Sequence, residues 1–405
     1  MVGEFSLSAL TIVTPHEVKR NASIKVAEGV IQGFTASAVK DYKLGDSYVV
    51  FPALVNAHDH LFGTYYPKIG SGPYICWLPW DYDLKGSPVY VERNKNSPFD
   101  IYLLGSYKNL ISGVTTVQDH IPHHINDPFI DKLPIRVLKE YCLAHEVSMY
   151  DLKWGDGIGL EYKRAVKNGL PFITHVEEGF DEESLRGINV LEKHNALSEH
   201  TVLIHGIGFS EQDIRTVAKK KANFVWCPGS NYYMFKRTAK LKEICKAGVN
   251  VSIGTDSPAS GELNILEEIR FAKKIYKEMY EEELDDKTIV EMITVNPVKA
   301  LRLQDRLGTL ERGKLGDILV ISGGGKNPYT ALVQAELKQI ALVLMEGRPL
   351  YGDDKFEHIF RDQGVEYSRV KVQGKKKLIV GDPGGLLKKM RKVIGFNKEL
   401  PFLPL

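Results

Sequence analysis

The sequence predicts an α/β protein, a (β/α)8 barrel of the TIM type flanked by a small β module from both ends of the chain. From about residue 52, strand-like runs alternate with longer helical stretches, the rhythm of βα units around a parallel sheet. Residues 4–50 and those after Leu307 instead carry short alternating segments broken by turn residues. Several strand-like runs also end in a histidine or aspartate, which suits a barrel whose chemistry gathers at the carboxyl ends of its strands.

Taken in order, the first module offers strands at 6–13, 22–26, 30–34 and 47–51. An apolar run over 48–55 reads as a buried strand that ends just before His58-Asp59-His60. Further strands are expected at 115–117, 172–174, 202–204, 224–227 and 249–254, with helices at 101–112, 183–194, 210–220 and 263–282. Ser210 and Asp213 have capping-box spacing, a helix-start signal. After Leu307, strands at 317–321 and 340–345 return to the opening module, and the glycine run 323–325 reads as a turn. The segments fall at 1–51 and 307–365 for the terminal β module, 52–306 for the barrel, and 366–405 for a basic peripheral extension.

With 405 residues, 43% of them hydrophobic, the chain can bury a sizeable core. A formal net charge of +2 points to no acidic polymer as partner. The lysine runs 219–221 and 375–377 lack the interleaved aromatic residues of a nucleic-acid platform and read as solvated faces. No stretch is apolar for long enough to span a bilayer. Four scattered cysteines without C-x-x-C spacing suit a reducing compartment, so a cytoplasmic protein is expected, with a homo-oligomer left open.

The chemistry starts at His58 and His60. On extended backbone, residues two apart point to the same side, so both imidazoles face one spot. His175 in THVEE, His205 in VLIHG and Asp256 in VSIGTD each follow a later strand-like run. Imidazoles plus a carboxylate form a site for one divalent metal, Zn2+ by default and Fe2+ as the alternative. Such a metal lowers the pKa of a bound water from 15.7 to about 7, giving hydroxide at neutral pH. Glu178, three residues after His175, shares its face if the chain turns helical there and can move a proton to a leaving group. Its neighbour Glu177 reads as a surface residue.

The ordered set His58-x-His60, His175-x-x-Glu178, His205 and Asp256 resembles the amidohydrolase superfamily, in particular the branch of cytosine and guanine deaminases and triazine hydrolases. PALVNAHDH, GVTTVQDH, WCPGSN, GVNVSIGTDSPAS and NPVKALRLQDRLGTLERGKLGDILVI agree, so the resemblance spans roughly residues 5–350. It implies the (β/α)8 barrel, a small β-sandwich from the N- and C-terminal segments, and hydrolysis of a non-peptide carbon–nitrogen bond. His58, His60, His175 and Asp256 then hold the metal, Glu178 shuttles protons, and His205 orients the water or polarises the substrate. The expected activity is deamination of a small nitrogen heterocycle by metal-activated hydroxide, with Glu178, His205 and Asp256 as catalytic residues. Two alternatives remain: a cyclic-amide or chlorohydrolase-type reaction at the same site, and an inactive metal-binding scaffold acting through partners.

Outside that set, Trp77 and Trp80 could wall a pocket for a flat ring, and His120, beside His123 and His124, could touch substrate. His145, His194, His200 and His358 read as exposed. Ser230 and Asn231 read as shaping the end of the seventh strand. Residues 120–170 look short for this branch, with little room for one βα unit. Lys153 falls roughly where dinuclear members place a bridging lysine.

Overall fold

The computed structural model describes residues 3–14, 16–35, 38–323 and 327–405; Gly324 and Gly325 of the expected glycine turn lie outside them. Its centre is a TIM-barrel-type arrangement of parallel strands. Leu54–Asp59, Val114–Asp119 and Arg136–Val137 form one run, and Cys142–Glu146, Phe172–Val176, Thr201–His205, Asn223–Trp226 and Asn250–Ile253 form the other. Nearly every residue of these strands is buried, as expected where helices cover a parallel sheet. The ends of the array meet where the Asp256 N–H donates to the His58 carbonyl at 3.1 Å. Gly254 makes that approach feasible, because a Cβ there would lie 2.6 Å from the Cβ of His58.

The shortage over residues 120–170 has a concrete form. The third strand, Arg136–Val137, pairs only with the second, and residues 138–141 join it to Cys142–Glu146 without a helix. Four residues are too few for the crossover that separate parallel neighbours need. Residues 136–146 therefore act as one interrupted strand, pairing with Val114–Asp119 at its start and Phe172–Val176 at its end.

Around the barrel the expected helices form close to their sequence bounds. Glu211–Lys219 starts with the full Ser210–Asp213 capping box, and Ile265–Tyr280 is capped by the Asn264 side chain.

Strands from both termini join in one ten-stranded sheet, where the sequence led us to expect a sandwich. The junction is Ile318–Ser322, antiparallel to Tyr48–Pro52. The single strand expected over 48–55 is thus two: Tyr48–Pro52 belongs to this sheet and Leu54–Asp59 to the barrel, broken at Ala53. His58 accordingly lies inside a strand rather than beyond its end. Arg136 ties the two parts together, pairing with Asp317 at 2.7 Å and Glu346 at 2.8 Å.

Residues 366–405 are not a peripheral extension. Ser368–Val372 and Lys375–Ile379 form a hairpin that continues the sheet beyond Arg348–Asp353. Helix Pro383–Ile394 buries Leu386, Leu387 and Met390, and its Lys389 pairs with Asp100 at 2.7 Å. Nor is the lysine run 375–377 wholly solvated: Lys377 is fully buried and pairs with Asp353 at 2.7 Å. Alternation along the strand forces this, since Lys375 and Lys377 share a face on which Asp353 accepts from both. No helix among the described residues is long and apolar enough to cross a membrane.

Candidate metal and catalytic site

Strand ends bring the predicted histidines to one place. His58 Nε2 and His175 Nε2 lie 3.3 Å apart, and Asp256 Oδ1 is 3.9 Å from His58 Nε2 and 3.6 Å from His60 Nε2. Candidate ligand atoms of His58, His175 and His205 all lie within 4.8 Å of one another, as do those of His58, His60 and Asp256. Burial lowers the pKa of His58 and His175 well below the usual imidazole value, and neighbouring histidines push the same way. Both rings are therefore neutral, the form that binds a metal. At Asp256 burial works to raise the pKa, but His60, His205 and hydrogen bonds from Ser230 and Ser257 outweigh it and hold the carboxylate ionised. Neutral imidazoles with one ionised carboxylate fit a divalent cation.

A second layer fixes these side chains. Asn231 Oδ1 accepts from His205 Nδ1 at 2.8 Å, which leaves Nε2 unprotonated and facing Glu178. Ser230 and Ser260 donate to Asp256 Oδ2 at 2.7 and 3.1 Å, and the Ser257 N–H donates to Oδ1 at 2.8 Å. Ser230 and Asn231 thus position the site from helix Pro228–Phe235. Both His205 and Asp256 hold left-handed backbone, with φ of 72° and 53°. Asp59 points away from its neighbours and accepts from Lys108, Asn109 and Asn56 in a fully buried cluster.

Glu178 is buried, its carboxylate 3.6 Å from His205 Nε2 and 3.9 Å from His175 Nδ1. Burial, then the charges of Glu146 and Asp256, raise its pKa well above the ordinary carboxyl value. The shift favours the protonated form of this carboxyl. Glu146, at the end of the fourth strand, went unnoticed in the sequence. Its oxygens have no hydrogen-bond partner among the described residues, and one lies within 4.8 Å of His175 and Glu178 atoms. Burial, with Asp151, Glu177 and Asp181 nearby, pushes it up to about 8. Glu177 is not at the surface as expected: it is 1% exposed and accepts from the Ile188 N–H at 3.2 Å.

A cavity of about 300 Å³ opens onto His60, His175, Glu178, His205 and Asp256. Trp77 and Trp80, both on helix Trp77–Gly86, line it as expected. His145 lines it too, buried rather than exposed, with its ring 4.7 Å from Trp77 and 4.5 Å from Trp154. His200 is likewise buried, its Nδ1–H donating to the Leu170 carbonyl, while His194 and His358 are exposed. His120 is not on the cavity wall. It is fully buried behind the cluster, its ring 4.5 Å from that of His175. Lys153 is not brought to the site: its side chain is 79% exposed and lies near Asp151, so it cannot bridge two metals there.

Comparison with known proteins agrees with this architecture. Residues 162–350 match the amidohydrolase family. A 5-methylthioadenosine/S-adenosylhomocysteine deaminase of Pyrococcus furiosus is 26% identical over 360 residues, covering 74% of this chain and 82% of that one. Among solved structures, an adenosine deaminase of Xanthomonas campestris with bound zinc superimposes with a TM-score of 0.75 at 19% identity, covering 96% of this chain and 98% of that one. An atrazine chlorohydrolase of Arthrobacter aurescens complexed with zinc gives 0.73 at 18% identity, over 89% of this chain and 99% of that one. The family match over residues 162–350, the deaminase relatives and the shared fold together show an enzyme similar to the amidohydrolases that act on carbon–nitrogen bonds.

Proposed function

We propose that the protein is a zinc-dependent aminohydrolase that removes an exocyclic amino group from a purine-type heterocycle. The observation that carries this reading is Glu178, a buried carboxyl set between His175 and His205 at the mouth of the cluster, its pKa pushed upward by burial. The substrate class is suggested by the named activity of the relatives that align over most of this chain.

His58, His60, His175 and Asp256 would hold the cation, with His205 beside them. When bound, a divalent cation supplies Lewis acidity that makes water a usable nucleophile near neutral pH. Asp256, ionised and fixed by three hydrogen bonds, is placed to accept a proton from that water. Glu178, protonated, donates to the ring nitrogen next to the reacting carbon, and His205 Nε2, fixed by Asn231, orients the water or polarises the substrate. Trp77 and Trp80 offer flat apolar walls for a ring.

Metal analysis followed by ammonia release from a panel of purines, pyrimidines, pterins and triazines tests this reading. Glu178→Gln should keep its metal and lose about 10²–10⁴-fold in kcat, the usual contribution of a general acid–base group. A metal-loaded protein that releases ammonia from none of the panel would sink the proposal. Chloride release from a chlorotriazine would instead favour the chlorohydrolase reading.

A further inference from the structure

Arg93 is the last residue of the short helix Pro88–Arg93, in the segment that follows the first barrel strand. It is 6% exposed and lines the same cavity as Glu178. Its guanidinium carbon lies 4.0 Å from the Phe62 ring centroid, 5.3 Å from Tyr66 and 5.2 Å from Tyr90. Such stacking favours the cation but leaves the in-plane N–H donors of the fork to find acceptors. Here Nε and Nη1 are buried and have none among the described residues. Asp81, an acid on the same cavity wall, pairs with Lys85 at 2.6 Å, and Arg93 makes no ion pair of its own among the described residues.

A guanidinium cannot shed its proton to escape such a position, and buried donors without acceptors are costly. Among the described residues the guanidinium meets only the Tyr66 hydroxyl and no carboxylate, while its open side is the cavity. We propose that Arg93 anchors an anionic substituent of the substrate, a carboxylate or a phosphate, while Glu178 acts on the ring. This rests on the aminohydrolase reading above and adds to it that the substrate carries a negative charge. Phe62, Tyr66 and Tyr90 serve as the platform that keeps the guanidinium in place.

Adenosine, adenosine 5′-carboxylate and adenosine 5′-monophosphate separate the cases, since they share a ring and differ in charge. Their dissociation constants would be measured by calorimetry on the metal-loaded protein, in a Glu178→Gln background that stops turnover. The affinity ratio of the better anionic probe to adenosine should fall about 10- to 100-fold in Arg93→Met, the value of a hydrogen bond to a charged group. Arg93→Lys should recover much of it, which a merely structural arginine would not require. A ratio unchanged by Arg93→Met, or a wild-type arginine that favours neither anion, would overturn the inference. If no adenosine probe binds, the purine reading fails instead. Arg93 is then tested by thermal stabilisation with succinate and inorganic phosphate: loss of that stabilisation in Arg93→Met upholds the anchor, and equal stabilisation overturns it.

Discussion

Asp59 stands between His58 and His60, yet its carboxylate lies in a fully buried pair with Lys108 at 2.8 Å. The first strand thus presents its chemistry on one face and its anchor on the other. Lys108→Met should cost about 3–5 kcal/mol in chemical denaturation, because it strands a buried carboxylate. Ser230→Ala removes a hydroxyl from Asp256 Oδ2 and should lower zinc affinity about 10- to 100-fold in a chelator competition, with the fold intact. His58, His60, His175, His205 and Asp256 were legible in the sequence because metal-competent residues close several strand-like runs. His145 and Glu146 were not: in CLAHE the local pattern is that of any strand running out into solvent. His145 is buried by Trp77 and Trp154, and Glu146 by its place beside His175 in the neighbouring strand. Arg93 escaped notice for the same reason, since a lone arginine in a polar segment reads as solvated until its aromatic neighbours fold around it.

Among elements, the alternation of strands and helices was easy to read from Phe172 to Ile253, where each strand has four residues or more and a helix separates it from the next. A two-residue third strand cannot show periodicity, so the sequence revealed only a shortage. The terminal hairpin was missed because four lysines over 371–377 outweigh its alternation, and one of them is buried. Burial lowers the Lys377 pKa to about 8, against the pull of Asp353. In the unfolded chain the amine keeps its ordinary value near 10.5, so from about pH 8 to 10.5 the unfolded state binds more protons. Wild-type stability should therefore climb across that window relative to Lys377→Met, by about 1–3 kcal/mol, and level off above it. Denaturant titrations at intervals across the window would read this, and a flat difference would contradict the buried placement.

At the scale of the whole molecule, Arg136 joins barrel to terminal sheet through Asp317, which also accepts from Thr115 and the Glu346 N–H. Chain connectivity adds to this, because the sheet is assembled from strands on either side of the barrel in sequence. Both parts should melt together. Asp317→Ala should shift a single calorimetric transition downward, costing about 3–5 kcal/mol. Two resolved transitions in the wild type would show that sheet and barrel are energetically separate.

The left-handed backbone at His205 and Asp256 places two demands on the same residues. Outside glycine, asparagine tolerates that conformation best, while histidine and aspartate hold it at a cost of about 1 kcal/mol or more each. The polypeptide would rest more easily with glycine or asparagine there, and it is the proposed reaction that calls for what it has. A lineage released from selection for turnover would drift to those residues at these two positions first, keeping a folded barrel while the chemistry goes silent.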